Sequence, residues 1–324
     1  MNSQKKKAIL KHFMLFCITL SVTFVVLEFV FRKYTQTKMI PYIEMRKYSE
    51  MLLQKAQNYS HEHIPNKKAS LMGVEIATNN LGFRGKNFTL EKGIEKRVFL
   101  LGSSITMGWG VKNENTCASQ LQNLLNKDKE SYLVVNGGVA NYNTVRESLF
   151  LKAKIKQIKP DIVVLHYFVN DAEKLKDTAN SALSRNSYLF AYIAMRIEEA
   201  LVFNKQKFKT LEDYYTSLYS DDSTGWKAAQ QAIQQIKQTT DLNNAKLIVA
   251  LQPDLRDLSL DNKKYLQKII SFLKKENIAF VNLFPAYHKN FSENAKSIWI
   301  SKDDAHPNKE GHRVIAEELF SAIR

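Results

Sequence analysis

Only two cysteines occur in 324 residues. Cys17 lies inside an apolar run and Cys117 in a predicted helix, so the two are not expected to pair, and neither redox compartment is excluded. There is no Cys-x-x-Cys, no His-x-x-x-His and no glycine-rich phosphate loop, which removes the sequence basis for a zinc centre or a nucleotide. No metal or other cofactor is expected. Acidic residues are also short: 32 against 47 Lys and Arg, a net charge of +15. That balance suits nucleic acid, an anionic membrane surface or acidic substrates. The lysines are scattered without interleaved aromatics, and no zinc-finger, RNP or recognition-helix pattern occurs, so nucleic acid is not an expected partner. No internal repeat or low-complexity tract is present. An apolar content of 44% and a mean hydropathy of −0.32 are ordinary for a globular chain, long enough for one large α/β domain with accessories.

The chain begins with a charged lead and an apolar run. Lys5, Lys6, Lys7 and Lys11 precede Phe13 to Phe31, which is broken only by Glu28 and small hydroxyl residues and closed by Arg32 and Lys33. As a helix, that run would rise roughly 28 Å, close to a bilayer core. Glu28 would sit near its exit end, within reach of the interface or of a partner helix. No small-residue cleavage site follows, and Cys17 lacks the small residue that a lipid-attachment site wants, so an uncleaved anchor is predicted. The lysine bias favours an N-in orientation. This gives residues 1–12 as a cytoplasmic N-terminus, 13–31 as a transmembrane anchor and 32–73 as a polar stalk or linker. The stretch 74–85 alternates like a strand and then turns at Asn79-Asn80 and Gly82, a hairpin at the domain edge in which Arg84 can brace a neighbouring loop.

From Arg97 the period is that of strand–helix units. Predicted strands are Val98–Leu101, Leu133–Asn136, Ile162–Phe168, Lys246–Leu251 and Ala279–Leu283; predicted helices are Ala118–Asn126, Thr144–Ile158, Trp226–Thr240, Asn262–Glu276 and Lys309–Ile323, the last capped by Asn308. Near-continuous apolar strands alternating with helices predict a parallel five-stranded sheet in a three-layer α/β/α sandwich. Residues 172–225 form an insertion rich in aromatics, among them Tyr188, Phe190, Tyr192, Phe203, Tyr215 and Tyr219, with Ala182–Phe203 amphipathic. It is either a helical pair packed on the domain or a lid over the site.

Four strand ends gather polar groups at one edge: Gly102-Ser103-Ser104, Asn136-Gly137-Gly138, Asn170-Asp171 and Asp303-Asp304-Ala305-His306. Ser104 is the predicted nucleophile, its turn opened by a glycine able to take backbone angles that a side chain forbids. His306 is the predicted base and Asp303 the carboxylate that orients it. The N–H groups of Ser104 and Gly138 and the amide of Asn170 are the predicted oxyanion donors. A register slip by one residue would instead select Ser103 or Asp304. The other histidines, His12, His61, His63, His166, His288 and His312, have no paired spacing for a metal and read as structural or exposed.

These four blocks, in this order, resemble the SGNH/GDSL hydrolase superfamily over about residues 74–324. Gly102-Ser103-Ser104-Ile105 stands for its serine block, Gly138 for its glycine block, Phe168-Val169-Asn170-Asp171 for its Gly-x-Asn-Asp block and Asp303 to His306 for its Asp-x-x-His block. Ser103 replaces the family's aspartate and Phe168 a glycine. Asn79/Asn80 with Gly82-Phe83-Arg84-Gly85 resembles a membrane-anchored, exported bacterial branch. The resemblance implies a serine esterase or O-acyl(acetyl)transferase in the bacterial inner membrane, its catalytic domain on the periplasmic side. An acylated envelope glycan or lipid is its implied substrate, and a membrane acyltransferase its implied partner. The rival expectations are a catalytically silent binding or assembly module and a lipase acting on membrane lipid.

Overall fold

The computed structural model describes residues 3–128, 130–173, 186–205, 208, 210–259 and 263–324. They fall into two compact units, Met1–Arg46 with Asp177–Lys207, and Lys47–Lys176 with Phe208–Arg324.

The smaller unit is built on α1 (Ser3–Thr37) and the helix Tyr188–Lys205. Within α1, Lys7–Thr37 is long and apolar enough to cross a membrane, and its most apolar stretch has no buried residue. Glu28, the one acidic residue of the apolar run, meets the start of the second helix. Its carboxylate accepts from Ser187 Oγ at 2.7 Å and from the Tyr188 and Leu189 N–H groups at 2.9 and 3.0 Å. These are first-turn donors that a helix cannot satisfy internally. Arg32 bonds Glu28 at 2.6 Å and lies 4.4 Å from the Tyr188 ring centre.

The larger unit begins inside the segment expected to be a stalk. The chain from Lys47 onward is folded: Tyr48 and Leu52, on the last turns of α2 (Pro41–Leu52), are fully buried. Two hairpins follow, β1 (Leu53–Ala56) with β2 (Ser60–His63) and β3 (Lys68–Leu71) with β4 (Val74–Ala77). Met39–Lys55 reads as broadly helical in sequence, and α2 lies within it. The four-residue strands that follow carry Lys, Glu and His and show no sequence period, which is why Asn58 to Ser70 reads as linker when taken alone.

The predicted sandwich is present. Five parallel strands, β5 (Lys96–Gly102), β6 (Tyr132–Gly138), β7 (Ile162–Phe168), β8 (Lys246–Gln252) and β9 (Ala279–Asn282), lie in the order β6-β5-β7-β8-β9. Side chains of β5 alternate between two cores, as a pleat requires. Phe99 and Leu101 pack with α5 (Thr144–Ile158), α6 (Thr224–Leu242) and α7 (Lys264–Lys275). Val98 and Leu100 pack with α4 (Cys117–Leu125), α8 (Phe284–Phe291) and α9 (Lys309–Ile323) on the opposite face. Both faces being covered, the strands read as unbroken apolar runs. Of the predicted insertion, residues 174–185, 206, 207 and 209 lie outside the described residues. Tyr215 and Tyr219 pack into the core, and Tyr219 Oη bonds Tyr167 Oη at 2.8 Å and the Val169 carbonyl at 2.9 Å.

One buried pair makes stability depend on pH. Glu147 on α5 is fully buried with neither carboxylate oxygen bonded. Asp171, just past β7, accepts from Thr144 Oγ1 at 2.9 Å. Burial raises both carboxyl pKa values, and the Asp171 charge raises Glu147 further; Asp171 is pushed up to about 8. The folded pair therefore holds protons that the unfolded chain releases above about pH 4. Stability should fall as pH rises from there to about 8. Glu147→Gln is expected to flatten that fall, measured as the denaturant midpoint between pH 5 and 8.

Candidate active site

β5 runs out at Gly102, and Ser104 opens the short helix α3 (Ser104–Met107) at the C-terminal edge of the sheet, where open α/β sheets place their ligands. Gly102 has no left-handed backbone; it is glycine because a Cβ there would stand 2.0 Å from Thr106 Oγ1. A buried relay holds α3 down: Thr106 Oγ1 bonds His166 Nδ1 at 2.9 Å, and His166 Nε2 bonds Gln252 Oε1 at 3.3 Å. Burial lowers the His166 pKa to about 4, so the ring is neutral and accepts at Nδ1 while donating at Nε2.

Residues 202 positions apart meet here. Ser104 Oγ lies 2.8 Å from His306 Nε2. His306 Nδ1 lies 2.6 Å from Asp304 Oδ1, which also accepts the His306 backbone N–H at 3.1 Å. A carboxylate only accepts, so the ring proton sits on Nδ1 and Nε2 is open to the serine proton. Burial works to raise the Asp304 pKa. Hydrogen bonds and charge from His306, and a hydrogen bond from the Trp109 side chain, outweigh it and hold the carboxyl below its ordinary range.

The carboxylate beside the imidazole is therefore Asp304, not Asp303. β10 (Trp299–Ser301) and β11 (Asp304–Pro307) form a hairpin pairing Ser301 with Asp304. On a strand, residues two apart share a face, which puts Asp304 on the side of His306. Asp303 falls in the turn, its side chain 73% exposed and 3.8 Å from Lys302 Nζ.

The predicted oxyanion donors divide. Ser104 N–H belongs to the first turn of α3, which offers it no acceptor. Asn170 follows β7 half-buried, and its side-chain amide bonds none of the described residues. Gly138 is already engaged: its N–H donates to Asn136 Oδ1 at 3.0 Å. Its lack of a side chain serves packing, since a Cβ would stand 2.1 Å from Met107 N.

Two groups outside the predicted set shape the site. Arg84 is 3% exposed and donates to the carbonyls of Met107, at 2.8 Å, Gly108 and Val111. It clamps the turn that follows α3. Burial lowers its pKa to about 10, so it stays charged at neutral pH. That turn carries Trp109 between Gly108 and Gly110, both left-handed at φ 88° and 74°. The Trp109 ring lies 6.4 Å from the His306 ring, centre to centre. Tyr48 backs it edge-on at 6.0 Å and holds the loop after β6 by accepting the Ala140 N–H at 3.1 Å. For Trp109 the Gly-Trp-Gly pattern is the available sequence signal; for Arg84 it is the hairpin segment 74–85, from which the residue can brace a neighbouring loop.

Residues 100–314, well over half of the chain, match the GDSL-like lipase/acylhydrolase family. The chain belongs to that family and is by class a serine hydrolase. Similar solved structures include a lipolytic G-D-S-L protein from Desulfitobacterium hafniense, at 18% identity, covering 70% of this chain and 99% of that one with a TM-score of 0.44. The acetyl xylan esterase AlAXEase gives 16%, 70%, 100% and 0.44. The esterase EstA from Pseudoalteromonas sp. gives 13%, 71%, 97% and 0.45. None is close enough to carry a substrate across. No curated protein matches the chain.

Proposed function

We propose that this chain is a membrane-anchored serine esterase or O-acyltransferase, acetyl being the favoured group, acting on a cell-envelope glycan or lipid through an acyl-serine intermediate. The single observation that carries the reading is the continuous hydrogen-bonded line Ser104–His306–Asp304. In the first half-reaction Ser104 Oγ bonds the ester carbonyl carbon and its proton moves to His306 Nε2. The tetrahedral oxyanion is met by the Ser104 N–H and the Asn170 amide, with Gly138 able to join only by leaving Asn136. Losing one such donor costs about 2.7–4 kcal/mol. Collapse breaks the ester C–O bond, the leaving alkoxide takes the proton from His306, and the acyl group stays on Ser104. Water, or an acceptor hydroxyl, then gives its proton to His306 and takes the acyl group, restoring the serine.

Anchoring is supported by the apolar span Lys7–Thr37 behind its lysine-rich lead. An inner-membrane position with the catalytic unit on the periplasmic side, and a membrane acyltransferase as donor partner, complete the reading. An alkyl fluorophosphonate should label the wild type at Ser104 and leave Ser104→Ala unlabelled, read by mass spectrometry. Absence of label in both would return the chain to a silent binding module.

A further inference from the structure

A cleft of about 240 Å³ opens against the imidazole, lined by Ile105, Phe168, Leu255, Arg256, Asp303 and His306 among others. Two of these side chains have no part in the chemistry above. Arg256 is half exposed, and its inner edge is fixed: Nε bonds both oxygens of Asp254 at 3.0 Å, and Asp254, 4% exposed, also accepts from Tyr215 Oη at 2.7 Å. The guanidinium is thus a rigid part of the cleft, with little freedom left to lose on binding. Asp303, released from the imidazole, is an exposed carboxylate at the same cleft.

We infer that this cleft is a sugar subsite, with Arg256 donating to and Asp303 accepting from the hydroxyls of a neutral O-acylated pyranose whose apolar face lies on Phe168. The inference rests on the esterase reading and selects the glycan over the lipid. A long acyl chain would have to desolvate the exposed parts of two charged side chains and would return no hydrogen bond to either. A pyranose offers donors and acceptors to both, together with an apolar face for the aromatic ring. An anionic ligand gains little here, because Arg256 is already neutralised by Asp254, and Asp303 would repel it. Phe168, standing where the family has glycine, is the surface on which the ring rests.

The test compares three esters with the full-length protein in detergent micelles: a mono-O-acetylated methyl pyranoside, p-nitrophenyl acetate and p-nitrophenyl palmitate. Arg256→Lys keeps charge for Asp254 but loses the planar donor edge. It is expected to raise KM for the pyranoside about tenfold, the scale of one charged hydrogen bond, while kcat moves less than about threefold. Asp303→Ala, at an exposed position with little folding risk, should raise the same KM severalfold. Equal KM changes on pyranoside and p-nitrophenyl acetate, or a wild type that prefers palmitate to the pyranoside, would overturn the subsite while leaving Ser104 labelling intact. Loss of that labelling in the wild type would sink the esterase reading and the subsite with it.

Discussion

Replacing Ser104 or His306 by alanine is expected to lower turnover of p-nitrophenyl acetate by at least about 10³-fold, toward the ~10⁶-fold scale at which nucleophile and base fail together. The geometry dictates that size. Ser104 Oγ has its proton directed at His306 Nε2 over 2.8 Å, and a serine hydroxyl is a weak nucleophile until a base takes that proton. Removing either partner removes the same step, so the losses should not add. The Ser104→Ala/His306→Ala double variant should be no slower than the worse single variant. A double variant slower by the product of the two single losses would mean that the residues act in separate steps, and a near-normal His306→Ala would take His306 out of the mechanism. Both arms are read from initial rates against the spontaneous hydrolysis of the ester.

How far the sequence led can be followed through particular residues. Ile162–Phe168, Thr144–Ile158 and Lys309–Ile323 coincide with their predicted bounds, because buried strands and two-faced helices carry long apolar periods. Ser104 and His306 were legible because each follows or precedes such an element at one edge of the sheet. Asp304 was legible only as the register-slip alternative to Asp303: β11 is four residues long and reads Asp-Ala-His-Pro, a string with no strand period, so its alternation emerges only from pairing with Ser301. The fold of residues 58–73 was missed on the same ground, since polar hairpin strands become structure only when side chains such as Leu71 find the core, whereas Met39–Lys55 reads as helical and 74–77 as strand, in line with α2 and β4. Arg84 was visible as a residue able to brace a loop, but which loop depends on contacts 23 to 27 positions away. Glu28 was placed near the end of the apolar run with a partner helix as one option. The helix that it caps begins 160 residues later, a distance no local pattern spans.

Asp304→Asn is expected to lower kcat on p-nitrophenyl acetate by about 10⁴-fold while the protein stays folded. The asparagine keeps the shape but can turn an N–H₂ toward Nδ1, which moves the ring proton to Nε2 and aims it at Ser104. An imidazole in that tautomer cannot accept the serine proton, so the loss falls on kcat. Asp303→Asn leaves the imidazole with its partner at 2.6 Å, and because this ester carries no sugar hydroxyl for Asp303 to accept from, its cost here should stay below about threefold. The two variants also part in their acid stability. Asp304 is held below its ordinary range in the folded state, so the stability it contributes is present above about pH 4 and is lost as pH falls through its folded value. Asp304→Asn should remove that portion of the acid limb in a denaturant titration. If Asp303→Asn proved the slower enzyme, the β10–β11 hairpin would be paired one residue out of register, and the carboxylate that orients His306 would be the one now in the turn.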